Sequence, residues 1–289
     1  MEVGMESRAH TRHSFQVLPI SDVLGAEVIG LDLSQRFDDA TRQEVYEAFL
    51  TYQLLVFRDQ YLTKAQQVAF TEQFGTLERH TLRNRGADDF PLVHTVSNLD
   101  ASGRPSGIVR STGWHSDKSF RPAPSMATIL HAVTLPPEGG DTWFADMYAA
   151  YEALPEAEKA ELATLRIVHS WELSRENIGR QMSEAEKRDA PPMSHPLVRT
   201  HPDTGRQCLF MGMHASHLEG LPMAEGRARI ERLEAHATQP RFVYRHCWYR
   251  GDVLMWDNRC LLHRAEPNFE AARYRRVLHR TCLRGTPVI

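Results

Sequence analysis

Short stretches in which apolar and polar residues alternate, broken by Gly, Pro, Asn and Asp, make up much of this chain. Residues 15–19 and 25–33 read as two short strands joined by a turn. Val45, Ala48, Phe49 and Tyr52 stand at i, i+3, i+4 and i+7, which predicts an amphipathic helix over 41–52. The run from Leu54 to Arg58 is a buried-strand pattern, and Thr63 with Gln66 forms a capping box opening a helix that Gly75 ends. Residues 125–133 predict a strand, followed by a Pro- and Gly-rich turn at 136–140. Asp146 is placed to cap a helix running to Leu154, and Pro155 suits the start of the next. Residues 156–195 are mixed, charged and helical in part, with a break at Pro191 and Pro192. Beyond them the pattern predicts strands at 196–201 and 207–211, a helix over 222–237, and a strand over 241–248 with Phe242, Tyr244, His246 and Trp248 on one face. Gly251 and Asp252 turn the chain into a strand at 253–257, and alternation returns over 276–284.

Many short strands between tight turns argue for a Greek-key barrel or jelly roll with helices packed outside. No internal repeat or low-complexity tract divides the chain, so a single domain over 1–289 is expected, with residues 1–13 flexible. From 79 to 112 the composition turns loop-like, with Arg79, Arg83, Arg85, Arg104 and Arg110 among Gly, Pro, Asp and Ser. That segment is either a solvated linker or a binding loop over a site. Residues 170–195 read likewise as an active-site loop or an insertion.

Composition narrows the function classes. A hydrophobic content of 42%, a charged content of 25% and a formal net charge of −3 describe an ordinary globular chain and favour neither a nucleic-acid binder nor a membrane-surface protein. No apolar run is long enough to span a bilayer, and no secretory signal is visible. Cys208, Cys247, Cys260 and Cys282 are widely spaced, without a C-x-x-C, and read as free thiols in a cytoplasmic protein. Basic residues are almost all Arg, with only Lys64, Lys118, Lys159 and Lys187 as lysines.

The candidate chemistry begins at Trp114-His115-Ser116-Asp117. In extended backbone His115 and Asp117 point the same way, and an imidazole with a carboxylate makes two legs of the 2-His-1-carboxylate triad that holds Fe(II) with open positions for O2. A surface or hydrogen-bonded pair is the ordinary reading of such a doublet. His263, after a strand-like run, is the proposed third ligand, although a lone His there is also a common structural residue. In the 276–284 alternation Arg276, Leu278, Arg280 and Cys282 share a face. The two arginines are then roughly 13 Å apart at ~3.3 Å per residue. Guanidiniums aimed into a core need anions, supplied either by Asp and Glu side chains or by two carboxylate-bearing small molecules.

Taken together, Trp114-His115-Ser116-Asp117, Gly139-Gly140-Asp141-Thr142, the run from Trp256 to His263, and Arg275 to Arg280 resemble the TauD/TfdA family of Fe(II)- and 2-oxoglutarate-dependent dioxygenases across nearly the whole chain. The resemblance implies the double-stranded β-helix fold, with His115, Asp117 and His263 binding iron. It implies that Arg276 and Thr142 hold the distal carboxylate of 2-oxoglutarate, that Trp256 lines the cofactor pocket, and that Arg280 faces the anionic group of a small organic substrate. The stretches 214–222 and 236–245 are more similar to the 2,4-dichlorophenoxyacetate branch than to the taurine branch. On that similarity Arg83, Arg104, His201 and His217 fall on the substrate side. Lys118 departs from the small residue expected after the metal Asp. A homo-oligomer is expected by family analogy.

The implied reaction consumes O2 and 2-oxoglutarate, releases succinate and CO2, and hydroxylates a C–H bond of the substrate. An aryloxyalkanoate so hydroxylated falls apart to a phenol and a keto acid. A sulfonate or alkyl sulfate, with Arg280 on the sulfo group, is the alternative within the same chemistry. A zinc hydrolase built on the same three ligands, or a barrel that merely binds a small acid, stand as readings from other classes.

Overall fold

The computed structural model describes residues 15–79, 90–177 and 179–288. In chain order its elements are β1 (Gln16–Pro19), β2 (Ala26–Ile29), α1 (Asp39–Tyr52), β3 (Leu54–Phe57), α2 (Lys64–Glu72), β4 (His94–Ser97), β5 (Ser125–Thr134), β6 (Thr142–Asp146), α3 (Met147–Glu152) and α4 (Glu156–Leu162). There follow β7 (Arg166–His169), α5 (Trp171–Glu176), α6 (Glu184–Asp189), β8 (Met193–Pro196), β9 (Val198–Thr200), β10 (Gln207–Leu209), β11 (Ala215–Leu218) and α7 (Met223–Ala237). A short 3-10 turn at Pro240–Phe242 then leads into β12 (Val243–His246), β13 (Val253–Asp257), β14 (Leu261–Ala265) and β15 (Val277–Arg284).

The chain is mostly β, organised around a seven-stranded mixed sheet in the order β1-β2-β3-β13-β5-β15-β4. Its pairs are antiparallel except β2 with β3. A three-stranded sheet, β12-β6-β14, packs on one face. Period-2 geometry explains how the large sheet is shared between two cores. Leu54, Val56, Leu130, Ala132, Leu254, Trp256 and Leu278 point inward, meeting Phe144, Ala145, Leu261 and Leu262 of the smaller sheet. Their neighbours Leu55, Phe57, Ala127, Ile129, Val253, Met255 and Leu283 point outward and are covered by α1 and α2 through Val45, Phe49 and Phe70. Hence β3 and β13 are buried on both faces and read in the sequence as unbroken apolar runs.

The capping box at Thr63 and Gln66 is present, and α2 lies against β15, where Gln67 Nε2 donates to the His279 carbonyl at 2.9 Å and the Thr71 and Thr281 hydroxyls meet at 2.7 Å. That contact fixes which side of β15 faces outward, so Arg276, Leu278, Arg280 and Cys282 take the inner face, as the alternation predicts. Asp146 caps α3 through the amides of Tyr148 and Ala149.

Three expectations need correction. The 79–112 segment is not all loop: β4 pairs antiparallel with β15 at the sheet edge, with His94 opposite Arg280. Its half-buried His, Thr and Ser carry too weak an apolar alternation to reveal a strand. Residues 166–169, read as part of a helical stretch, form β7 between β8 and β11. The strand expected from 241 starts only at Val243, because Pro240 opens a 3-10 turn first. Residues 1–13 and most of the 79–89 stretch, including Arg83, lie outside the described residues. No helix among the described residues is long and apolar enough to cross a membrane.

Phe70 is fully buried where α2 meets the sheet, with edge-on ring contacts to Phe37, Phe57 and Phe74 at centroid distances of 6.0, 5.7 and 5.4 Å. Phe70→Ala is expected to destabilise the fold by about 3–5 kcal/mol, read as a lower urea midpoint at unchanged slope.

Candidate active site

His115, Asp117 and His263 come together between the two sheets. His115 precedes a turn and His263 lies on β14; the two exchange backbone hydrogen bonds, His115 N to His263 O at 3.0 Å and the reverse at 2.9 Å. This single bridge brings the rings to 4.2 Å between centroids. The Nε2 atoms of His115 and His263 each lie 4.0 Å from one oxygen of Asp117, and all three groups are buried. Ligand atoms of the three residues lie within 4.8 Å of one another.

The neighbours decide what this group can hold. His115 Nδ1 lies 2.9 Å from the Gly113 carbonyl, to which it can only donate, so the lone pair is on Nε2 facing Asp117. Burial pushes both imidazoles below their ordinary range, so they are neutral donors at neutral pH. For Asp117 burial favours the neutral acid, but Arg280 and then His263 and His115 outweigh it and hold the carboxyl well below the usual carboxylate range. Thr128 on β5 donates to Asp117 Oδ2 at 2.6 Å, and Arg280 Nη1 donates to Oδ1 at 3.0 Å. Asn258 ties the parts together: its side chain accepts from the Asp117 amide at 3.2 Å and donates to Thr128 Oγ1 at 2.9 Å, while its carbonyl accepts from Ser116 Oγ at 2.6 Å. Two neutral imidazoles and one carboxylate turned toward a common point, with His115 and Asp117 hydrogen-bonded from behind, fit a divalent transition metal with coordination positions left over.

Arg276 immediately precedes β15, four residues before Arg280. Its Nε donates to the Gly140 carbonyl at 2.8 Å and its Nη2 to Thr142 Oγ1 at 3.3 Å. Among the described residues no carboxylate is within ion-pair distance of it. Asp141, whose field it feels, is bonded instead to Arg245 and Asn268. Burial brings the Arg276 guanidinium down to about 10, still charged at neutral pH. A buried cation without an anion is very costly unless a ligand supplies one. Thr142 Oγ1 already accepts from Trp248 Nε1 at 3.0 Å as well as from Arg276, so its own proton is left to donate. One cation and one hydroxyl donor side by side match a carboxylate. The loop beneath requires both glycines: Gly139 and Gly140 have φ of 73° and 72°, and a Cβ at Gly139 would come within 2.1 Å of the Asn268 carbonyl oxygen.

The other residues singled out from sequence divide. Trp256 is buried with its ring 4.7 Å from that of His263 and its Nε1 bonded to Asn258, so it supports the His263 ring as a wall. Arg280 meets Asp117, and its buried Nε has no partner among the described residues. His217 is half-buried on β11 with Nδ1 2.6 Å from Ser216 Oγ. Arg104 is exposed on a turn closed by Asp100, away from any anchoring contact among the described residues. His201 corrects the expectation of a substrate contact: Nε2 pairs with Asp257 at 3.0 Å and Nδ1 accepts from the amides of Asp203 and Thr204, leaving neither nitrogen for a ligand. His201, Asp257 and Cys260 could geometrically hold a metal, but the Arg259 guanidinium occupies both Asp257 oxygens and repels a cation. Sequence reasoning missed Thr128, Asn258, Trp248 and His214, the last with its ring edge-on to His115 at 6.2 Å.

This arrangement places the chain in a known class. It belongs to the taurine catabolism dioxygenase TauD, TfdA family, whose model it matches over residues 16–282. It is 42% identical over 258 residues to the alpha-ketoglutarate-dependent 2,4-dichlorophenoxyacetate dioxygenase of Cupriavidus pinatubonensis, covering 85% of this chain and 90% of that one. It is 38% identical over 275 residues to the (S)-phenoxypropionate/alpha-ketoglutarate-dioxygenase of Sphingobium herbicidovorans, covering 88% and 90%. Its fold is similar to that of AAD-2 in complex with Mn(II) and N-oxalylglycine, with a TM-score of 0.86 at 35% identity over 96% of this chain and 99% of that one.

Asp117→Ala is expected to abolish Mn(II) binding measured by calorimetry. Thr128→Val, which removes only the brace on Oδ2, should weaken it by about 10–100-fold.

Proposed function

We propose that this chain, as one domain with the double-stranded β-helix fold, is an Fe(II)- and 2-oxoglutarate-dependent dioxygenase acting on a small aryloxyalkanoate. The observation that carries this reading is Arg276, a buried guanidinium with no carboxylate partner among the described residues, beside the donor hydroxyl of Thr142 and just before the strand that carries Arg280, which braces Asp117. A metal hydrolase has no use for that carboxylate cradle, and a plain acid-binding barrel has no use for the buried His115, Asp117 and His263 group beside it.

In this reading His115, Asp117 and His263 hold the iron, and Arg276 with Thr142 fixes the far carboxylate of 2-oxoglutarate. The bound iron, with 2-oxoglutarate and O2, supplies oxidative decarboxylation to succinate and CO2 coupled to hydroxylation of a substrate C–H bond. The chain's own contribution is position and charge. Arg280 keeps Asp117 ionised and oriented, Gly113 keeps the His115 lone pair on Nε2, and the two-sheet core excludes water from the ligand set. Hydroxylation at a carbon bearing an ether oxygen gives a hemiacetal, which breaks to a phenol and a keto acid. The relatives named above act, by name, on 2,4-dichlorophenoxyacetate and (S)-phenoxypropionate, which supports an aryloxyalkanoate; the sulfonate or alkyl-sulfate alternative has less support.

Protein supplied with Fe(II), 2-oxoglutarate and air is expected to form succinate, phenol and glyoxylate in equal amounts from phenoxyacetate, and little succinate with taurine. Absence of substrate-stimulated succinate across carboxylated aryl ethers defeats the assignment. Arg276→Met should weaken 2-oxoglutarate binding by about 100-fold, since loss of a buried charged partner typically costs ~2–5 kcal/mol, with Mn(II) affinity little changed.

A further inference from the structure

On the reading of the site as one that receives a substrate carboxylate, we propose that the ion pair between Lys118 and Glu78 sets the charge selectivity of the cleft beside Arg280. Lys118 is here a positioning residue that neutralises Glu78. The cleft is a small recess lined by Glu78, Leu92, His94, Lys118, Arg280 and Cys282 against the inner face of β15, and Arg280 joins it to Asp117. Within it the Glu78 side chain is only 9% exposed and would face an incoming anion.

Two features hold the pair in place. Ser125 Oγ donates to Glu78 Oε2 at 2.8 Å, and Lys118 Nζ donates to the same oxygen. Lys118 itself sits in the left-handed backbone region, at φ 55°, in a turn whose carbonyl accepts from the Arg121 amide at 2.8 Å. That conformation, uncommon for a residue with a Cβ, turns a side chain next to Asp117 back toward the cleft instead of solvent. The four charges cancel in pairs, Asp117 against Arg280 and Glu78 against Lys118, which leaves the buried Arg280 Nε, without a partner among the described residues, as the group that draws an anion. Glu78 lies near enough to Arg280 to add to the field on it. Without Lys118 the Glu78 carboxylate would stand unpaired in a poorly solvated cleft and repel a substrate carboxylate.

The bland alternative is that the pair only pins residue 78 to the 117–120 turn. Charge discrimination separates the two roles. Protein loaded with Mn(II) and N-oxalylglycine is titrated by calorimetry with phenoxyacetate and with its neutral counterpart phenoxyacetamide. Lys118→Met is expected to weaken phenoxyacetate about tenfold while moving phenoxyacetamide less than about twofold, and Glu78→Gln in the Lys118→Met background should restore phenoxyacetate to within about threefold of the parent. Equal weakening of both ligands, an unchanged phenoxyacetate affinity in Lys118→Met, or no restoration in the double variant overturns the proposal. A parent protein that binds no phenoxyacetate and forms no succinate with it overturns the functional reading as well, whereas normal parent behaviour with unaltered selectivity in the variants overturns the charge-selectivity role alone.

Discussion

The structure depends on one buried carboxylate kept ionised. Asp117 lies where burial alone would protonate it, and Arg280, Thr128 and two imidazoles reverse that preference. The supports come from β15, β5, β14 and the turn after His115, so the carboxylate is also the point at which both sheets are registered against each other. Asn258 carries the same strain of logic one shell out, joining the Asp117 amide, Thr128 and Trp256. A local shift in any of these strands would change the charge state or the direction of the ligand group.

The second theme is a division of labour along β15. Its outer face is a packing surface for α2, while Arg280 on its inner face and Arg276 just before its start reach different environments. Arg280 has a carboxylate partner at once, whereas among the described residues the Arg276 guanidinium has a hydroxyl and a carbonyl. Equal residues four positions apart therefore differ in what they ask of a small molecule: one is largely satisfied within the fold, and the other keeps a demand for an acid.

Much of this was legible in the residues, and the limits are physical. Doubly buried β3 and β13 announce themselves as apolar runs, and the alternation over 276–284 correctly assigns both arginines to one face. Periodicity says which face a side chain takes but not which partner it meets. That is why Asp117 was not foreseen as the mate of Arg280, nor Asp257 as the mate of His201. Thr128 is hidden inside an otherwise apolar strand, and Asn258 belongs to a quoted motif yet has no chemistry of its own until its three contacts are seen. β4 and β7 escaped because edge or outlying strands with polar faces carry little hydrophobic signal.

Arg280 braces the Asp117 carboxylate and lines the neighbouring cleft with the same guanidinium, so the two features are mechanically one. Replacing it would remove a charge from the cleft and loosen the Asp117 carboxylate in the same step. A change of cleft charge that leaves the carboxylate braced is open instead to the residues on the far side of the recess, Glu78 and Lys118 among them.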